Sequence, residues 1–121
     1  MRLRRLLSME AAAAVAALSA LAHPGRLEVF RLLVRAGPDG VPAGDIARAT
    51  GSLANTLSAN LGVLAGAGLV ASRREGRSIL YTAGYEQMGK LLAFLVEDCC
   101  CGKQEICGPL AAIAERAACC G

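Results

Sequence analysis

Residues 43–65 read AGDIARATGSLANTLSANLGVLA, and this stretch predicts two helices joined by a tight turn. The first helix spans about 43–49, with Ile46 facing inward. The second spans about 53–65 and has an apolar stripe at helical spacing, formed by Leu57, Leu61 and Leu64. The break between them contains Gly51, which accepts the backbone angles of a sharp turn. A helix, a short glycine turn and a second helix are the helix-turn-helix pattern.

Two short strands are predicted after this pair, at residues 69–73 and 78–82. The tip of their hairpin is the segment 74–77, Arg-Glu-Gly-Arg, in which Gly76 supplies the positive φ. A helix-turn-helix followed by a basic hairpin predicts a winged helix. The fold class is therefore mainly α with a small β-hairpin.

Three further helices are predicted, two before this unit and one after it. Residues 9–22 form the first helix, which ends where His23 precedes a proline, and Pro24 opens the next helix. Residues 85–100 form the last helix, with an apolar stripe at spacings of four and three, made by Met88, Leu92 and Leu95. We expect the first and last helices to supply a helical dimer interface.

The length of 121 residues fits one domain. We expect a single winged helix-turn-helix domain over 1–121, with a core at 9–100 and a cysteine-containing tail at 101–121. Residues 11–22 are uncharged but shorter than the about 20 apolar residues of a membrane helix. A short signal peptide is the alternative for the N-terminus, although Met9-Glu10 separates its basic and apolar parts. We expect a cytoplasmic protein without a membrane partner.

The predicted recognition helix, 53–65, has polar side chains suited to double-stranded DNA. Such a helix enters the major groove, where Asn pairs with adenine and Ser or Thr with several bases. The outward candidates are Asn55, Thr56, Ser58 and Asn60. No charged residue lies between Ala49 and Ser72, so contacts with phosphate or the minor groove fall to other residues: Arg48, Arg73, Arg74 and Arg77. The net charge of +3 permits such a partner. The alternative is a small helical domain whose hairpin arginines only solvate a turn.

All six cysteines follow residue 98. A disulfide scaffold would distribute its cysteines through the fold, so this clustering indicates a local site in a reducing compartment. Cys99-Cys100-Cys101 is followed by Gly102, which lets the chain turn back and bring Cys107 to the other thiols. Soft thiolates select soft ions. The remaining pair, Cys119-Cys120, lies in the tail.

Several segments resemble the ArsR/SmtB-type winged-helix repressors. Residues 21–33, LAHPGRLEVFRLL, are similar to the pattern L-A-x-P-x-R-L-x-I-L-x-L-L of these proteins. The segments 44–47 and 55–70 resemble their helix-turn-helix, and 73–77 with Tyr81 resembles their wing. The similarity covers about residues 10–107. It implies a homodimeric repressor that a metal or metalloid releases from operator DNA.

The resemblance also indicates the effector. One subgroup uses Cys-x-Val-Cys in the first helix of the helix-turn-helix, where this chain has Gly44–Ala47 without a cysteine. Another uses His and Asp pairs on the last helix, but the only histidine is His23, which we expect to cap or pack at a helix start. The arsenite-responsive subgroup carries Cys-Cys-x-Gly-x-x-x-x-Cys, which matches residues 99–107, CCCGKQEIC. The resemblance therefore implies As(III) as inducer of an arsenic-resistance operon.

The ligand set follows from that match. As(III) takes three thiolates, and the expected ligands are Cys99, Cys100 and Cys107, with three further candidates: Cys101, Cys119 and Cys120. Antimonite (Sb(III)) or methylarsenite can occupy the same site. The alternatives are a zinc site with tetrahedral thiolates and a thiol-based redox sensor on the same scaffold. An enzyme is disfavoured because no anion loop surrounds the cysteines and no βαβ pattern is present, so we expect no catalytic residue and no small organic substrate.

Overall fold

Five helices and a small antiparallel sheet make up residues 9–96, which are the part of the chain that this computed structural model describes. In chain order the elements are α1 (Ala11–Leu21), α2 (Pro24–Ala36), β1 (Val41–Pro42), α3 (Ala43–Thr50), α4 (Ala54–Gly66), β2 (Val70–Glu75), β3 (Ser78–Ala83) and α5 (Tyr85–Val96). The ends of α1, α3 and α4 agree with the sequence prediction to within one or two residues, as helix fraying allows. The last helix is predicted over 85–100 and begins at Tyr85 as expected, but residues 97–100 lie outside the described residues. None of the described helices is long and apolar enough to cross a membrane.

A short junction joins α1 to α2. His23 has an extended backbone, and Pro24 opens α2 at a position where an N–H would lack a partner. The Nδ1 atom of His23 accepts hydrogen bonds from the amides of Gly25 at 3.1 Å and Arg26 at 3.3 Å. Arg26 also donates from Nε to the carbonyl of Ala20 at 2.6 Å, which satisfies an acceptor at the end of α1. His23 is therefore a helix cap, as predicted.

Helix α1 packs closely on α2 and α4 because its inward face consists of alanine. Ala14, Ala17 and Ala20 are only 1%, 0% and 3% exposed. Small side chains let helices approach each other. The larger side chains of the core come from α2, α3 and α4, among them Val29, Phe30, Leu33, Ile46, Leu57, Leu61 and Leu64. The inward positions predicted for the helix-turn-helix are thus confirmed.

The sheet contains one strand that the sequence pattern does not predict. Its order is β1-β3-β2, and both pairings are antiparallel. The predicted hairpin is β2 and β3, while β1 has only Val41 and Pro42, paired with Tyr81 and Leu80. Two residues are too few to show an alternating pattern. The extra strand joins the base of the wing to the segment that begins α3.

The backbone approaches itself closely where the wing meets α5. The amide of Gly84 donates to the carbonyl of Leu69 at 2.7 Å. A Cβ at position 84 would collide with the carbonyl oxygen of Gly68, which itself has a φ of +78°. Glycine at position 84 therefore allows α5 to start directly against the end of the recognition helix.

Candidate nucleic-acid interface

The recognition helix α4 exposes a polar face that carries no charge. Asn55, Thr56 and Ser58 are exposed. The opposite face is formed by Leu57, Leu61 and Leu64, which are 2%, 5% and 0% exposed and fix the helix to the core. The polar side chains are therefore available to a ligand in solvent, and amide and hydroxyl groups are suited to base edges in the major groove.

The turn before α4 has the predicted construction. Gly51 adopts the left-handed conformation, with φ of 68°, and ends α3. The hydroxyl of Thr50 donates to the carbonyl of Ile46 at 2.8 Å, and its Oγ1 lies 2.7 Å from Oγ of Ser52. These bonds hold the end of α3 and the turn that leads into α4.

The position of Asn60 corrects the sequence prediction. Asn60 is expected to face outward with the other polar residues of α4, but it is only 6% exposed. It follows Leu57 by three residues and precedes Leu64 by four, which places it on the buried face of the helix. A Cβ at Gly25 would lie 3.1 Å from its Nδ2 atom. Asn60 is therefore part of the contact between α4 and α2, and its side chain does not reach a base edge.

Arg48 lies on α3 and is paired with an acid on the same helix. Its guanidinium forms an ion pair and hydrogen bond with Asp45, three residues earlier. Both side chains are largely exposed, at 76% and 51%. An exposed pair of this kind contributes little stability. Arg48 is thus accessible, but the neighbouring carboxylate offsets part of the positive charge predicted to meet phosphate.

Tyr81 on β3 shows which face of the wing turns toward the helix-turn-helix. Its side chain lines a shallow cavity together with residues of α3 and α4, including Ala47, Leu57 and Ser58. Ser72 lies directly opposite Tyr81 on β2, and Arg74 follows two residues later. Because side chains alternate along a strand, Arg74 lies on the same face as Tyr81. The wing thus places Arg74 on the side of the recognition helix.

Arg73 lies on the other face of the wing, opposite Leu80. Its Nη1 donates to the carbonyl of Pro38 at 3.0 Å and its Nη2 to the carbonyl of Asp39 at 2.7 Å. Its Nε donates to Glu75 at 3.3 Å. The sequence predicts that Arg73 meets phosphate or the minor groove; in the structure three of its donors bind the protein, while the side chain stays 47% exposed. This contact joins segments far apart in sequence, so no local pattern could reveal it.

Arg77 lies in the hairpin turn beside Gly76, whose φ is +63°. Arg74 and Arg77 are both exposed, and neither forms an ion pair with another residue in the range 9–96. Of the wing arginines, these two have no acidic partner among the described residues, whereas Arg73 is 47% exposed but pairs with Glu75.

The predicted thiolate site lies outside the described residues, and its ligands stay predictions: Cys99, Cys100, Cys107 and the further candidates Cys101, Cys119 and Cys120. Between residues 9 and 96, no group of three or more His, Cys, Asp or Glu side chains is placed to hold a metal ion. This agrees with the sequence, which has no cysteine in that range.

The helices predicted to form a dimer interface have uncovered apolar side chains. On α5, Leu92 and Leu95 are 54% and 50% exposed. On α1, Val15 and Leu18 are 65% and 42% exposed. The two helices contact each other within the described part of the chain. Exposed apolar side chains grouped on neighbouring elements are typical of interaction surfaces.

Comparison with known proteins agrees with this geometry. A family model described as a helix-turn-helix domain matches residues 21–73. The HTH-type transcriptional regulator YgaV of Escherichia coli (strain K12) is 34% identical over 94 residues, which cover 78% of this chain and 93% of the relative. The HTH-type transcriptional regulator NmtR of Mycobacterium tuberculosis is 42% identical over 87 residues, covering 71% of this chain and 70% of the relative.

A solved structure leads to the same family. It is the homodimeric winged helix-turn-helix DNA-binding domain of Mb0332 from Mycobacterium bovis, a possible ArsR-family transcriptional regulator. The match has a TM-score of 0.57 and 34% identity, and covers 71% of this chain and 79% of that one. Together with the three-stranded sheet and the exposed recognition helix, these similarities show that the chain belongs to the ArsR family of winged helix-turn-helix transcriptional regulators.

Proposed function

We propose that this protein is a cytoplasmic homodimeric repressor of an arsenic-resistance operon. It occupies operator DNA and leaves it when trivalent arsenic binds the thiolates of Cys99, Cys100 and Cys107. One observation supports the DNA-binding part of this proposal: α4 and the wing present exposed side chains on the same side of the protein. There the polar side chains of α4 and the guanidinium of Arg74 are exposed together.

The proposed DNA contacts are of two chemical kinds. The amide of Asn55 and the hydroxyls of Thr56 and Ser58 are suited to base edges, which give sequence preference. Arg74 and Arg77 are suited to phosphates, which give affinity without sequence preference. Because α4 contains no charge, the affinity of one subunit for DNA depends strongly on its wing.

Dimerisation compensates for the low charge of a single recognition helix. A dimer places two recognition helices in half-sites about 34–36 Å apart. The exposed leucines Leu92 and Leu95 on α5, with Val15 and Leu18 on α1, support an interface at these helices. The related Mb0332 domain is homodimeric. A change in the angle between two subunits would shift both recognition helices out of register with the half-sites.

The cysteines are placed in the sequence where they can act on that interface. Cys99 follows Val96, the last described residue of α5, by three positions. Binding of As(III) by Cys99, Cys100 and Cys107 would join the end of this helix to the segment that follows it. A coupling of about 1–3 kcal/mol between two sites is typical of allosteric proteins, and by linkage DNA would weaken As(III) binding to the same degree that As(III) weakens DNA binding.

The proposal is tested by fluorescence anisotropy with a labelled duplex that the wild-type protein selects from a random-sequence pool. The reduced protein bound to this duplex is titrated separately with arsenite, antimonite, methylarsenite, zinc and peroxide. We expect the trivalent arsenicals or antimonite to release the DNA at concentrations where zinc and peroxide do not. Release by zinc or by peroxide alone would replace the arsenic assignment with a zinc or redox response.

Single substitutions then test the ligand set. Cys99→Ser and Cys107→Ser should require far more arsenite for release, while Cys101→Ser and the double change at Cys119 and Cys120 serve as matched controls with one or two thiols removed. The assignment is wrong if Cys99→Ser or Cys107→Ser protein leaves DNA at the wild-type arsenite concentration. A complete loss of response in Cys101→Ser would move the ligand set to include that thiol.

A further inference from the structure

We infer that Arg73 is a positioning residue of the wing, which fixes the direction of the hairpin relative to the helix-turn-helix without contacting DNA itself. This inference rests on the proposed DNA binding. It assigns the electrostatic contacts of the wing to Arg74 and Arg77 and gives Arg73 a different task. Three observations support it: the face on which Arg73 lies, the partners of its guanidinium, and the segment that those partners belong to.

The register of the hairpin separates Arg73 from its neighbours. Arg73 is opposite Leu80, whereas Arg74 is opposite Ile79 and shares a face with Tyr81. Tyr81 lines the cavity next to α3 and α4. Arg73 therefore points away from the side of the wing that carries the recognition helix, which is the wrong direction for a phosphate held between wing and α4.

The side chain of Arg73 extends across the sheet. The strand order is β1-β3-β2, so a side chain on the outer strand β2 must pass over β3 to reach the turn that leads into β1. Its bonds to the carbonyls of Pro38 and Asp39, at 3.0 and 2.7 Å, make that connection, and Glu75 takes a third donor at 3.3 Å. Three of the five N–H donors of the side chain are thereby used.

The turn at residues 37–40 is itself attached to the sheet and to the helix-turn-helix. Gly37 and Gly40 both have φ of +83°, and a Cβ at Gly40 would lie 3.0 Å from Cβ of Leu80. After this turn, β1 pairs with β3 through only two residues, and α3 begins at once with Ala43. A bond from Arg73 to this turn therefore ties the far strand of the wing to the start of the helix-turn-helix.

The salt dependence of DNA binding distinguishes positioning from phosphate contact. Each phosphate contact contributes about 0.9 to the slope of log affinity against log salt concentration, and a dimer counts each arginine twice. We expect Arg74→Met and Arg77→Met to lower both the affinity and the slope. Arg73→Met should retain the wild-type slope while affinity falls by about tenfold or less, because the wing is no longer held in place.

The conservative variant Arg73→Lys sharpens the comparison, since lysine keeps the charge but lacks the planar set of donors that joins both carbonyls and Glu75. A positioning role predicts that Arg73→Lys loses as much affinity as Arg73→Met. Wild-type affinity in Arg73→Lys together with a reduced slope in Arg73→Met would overturn the inference and show a phosphate contact. The probe is the labelled duplex selected from the random pool.

Hydrogen exchange of the free protein gives a readout that does not depend on DNA. Arg73→Met should accelerate exchange of the amides of residues 39–41 and of the hairpin, because Pro38 and Pro42 have no N–H. The amides of α1 and α2 should exchange as in wild type, and Arg74→Met should leave the exchange of residues 39–41 unchanged. Unchanged exchange at residues 39–41 would overturn the positioning role of Arg73. If no duplex is selected at all, the proposed function fails, whereas the exchange experiment still decides whether Arg73 holds the wing.

Discussion

Asn60 of the recognition helix lies against Gly25 at the start of α2, so that a Cβ at residue 25 would be 3.1 Å from Nδ2 of Asn60. The amide side chain is thus enclosed between two helices of the core, at 6% exposure. A polar residue on a DNA-reading helix here serves the packing of that helix. Its substitution is expected to change folding and leave base recognition intact.

Asn60→Ala should lower the free energy of unfolding by about 1–2 kcal/mol, the usual cost of truncating a buried side chain. Urea denaturation followed by circular dichroism measures the loss. The matched control is Asn55→Ala on the exposed face of the same helix, which should leave stability nearly unchanged and weaken DNA binding. The prediction is wrong if Asn60→Ala keeps the wild-type free energy of unfolding and changes the preferred DNA sequence, because Asn60 would then contact bases.

Gly84→Ala should destabilise the junction between the wing and α5, because the added Cβ would meet the carbonyl oxygen of Gly68. We expect a loss of about 1–3 kcal/mol, as for other overpacked sites. Gly89→Ala, within α5, is the control: nothing lies within 4 Å of a Cβ there, so alanine should stabilise by about 0.5–1 kcal/mol. Equal effects of the two changes in thermal denaturation would contradict the close approach at Gly84.

The sequence predicted those parts of the site that depend on local periodicity. The helix-turn-helix follows from the apolar spacing around Gly51, and the hairpin from two short strands around Gly76. The spacing also indicated that Asn60 faces inward, because it follows Leu57 by three residues. Its polar side chain, however, suggested the outward face of the helix. The periodicity of a helix therefore outweighs the polarity of one residue when the two disagree.

The parts that could not be predicted depend on tertiary contacts. Arg73 is 35 and 34 residues from the carbonyls of Pro38 and Asp39 that it binds, and β1 has only two residues. Neither has a periodic signal, because each exists only once α2, the turn and the hairpin have come together. The role of one arginine in a run of basic residues thus follows from strand register and from the partner that its guanidinium finds.

Leu92→Glu should dissociate the proposed dimer, because it places a charge among the exposed apolar side chains of α5 and α1. Leu92 is 54% exposed in the single chain, so the fold of the monomer should be retained. Light scattering after size-exclusion chromatography measures the mass. Leu27→Glu on α2 is the control, since Leu27 is similarly exposed at 43% but lies on a different helix. Dissociation by Leu27→Glu and not by Leu92→Glu would move the interface to α2.

Asp45→Asn should strengthen DNA binding by removing the carboxylate that pairs with Arg48. The first helix of a helix-turn-helix crosses the DNA backbone, so the change removes a repelling charge and frees a guanidinium for phosphate. The slope of log affinity against log salt concentration should steepen by up to about 0.9 per subunit. Asp45 also lies in the first turn of α3, and losing its charge there costs about 0.3–1 kcal/mol of stability.

Glu86→Gln supplies the matched control for this change. Glu86 is likewise an acid in the first turn of its helix and pairs with Lys90 at 3.6 Å, four residues later. It differs from Asp45 in lying on α5, outside the helix-turn-helix. Both variants lose one negative charge, so a general effect of net charge would raise the DNA affinity of both equally. A gain confined to Asp45→Asn places Arg48 at the DNA backbone, whereas equal gains would show that Arg48 acts only through the net charge of the protein.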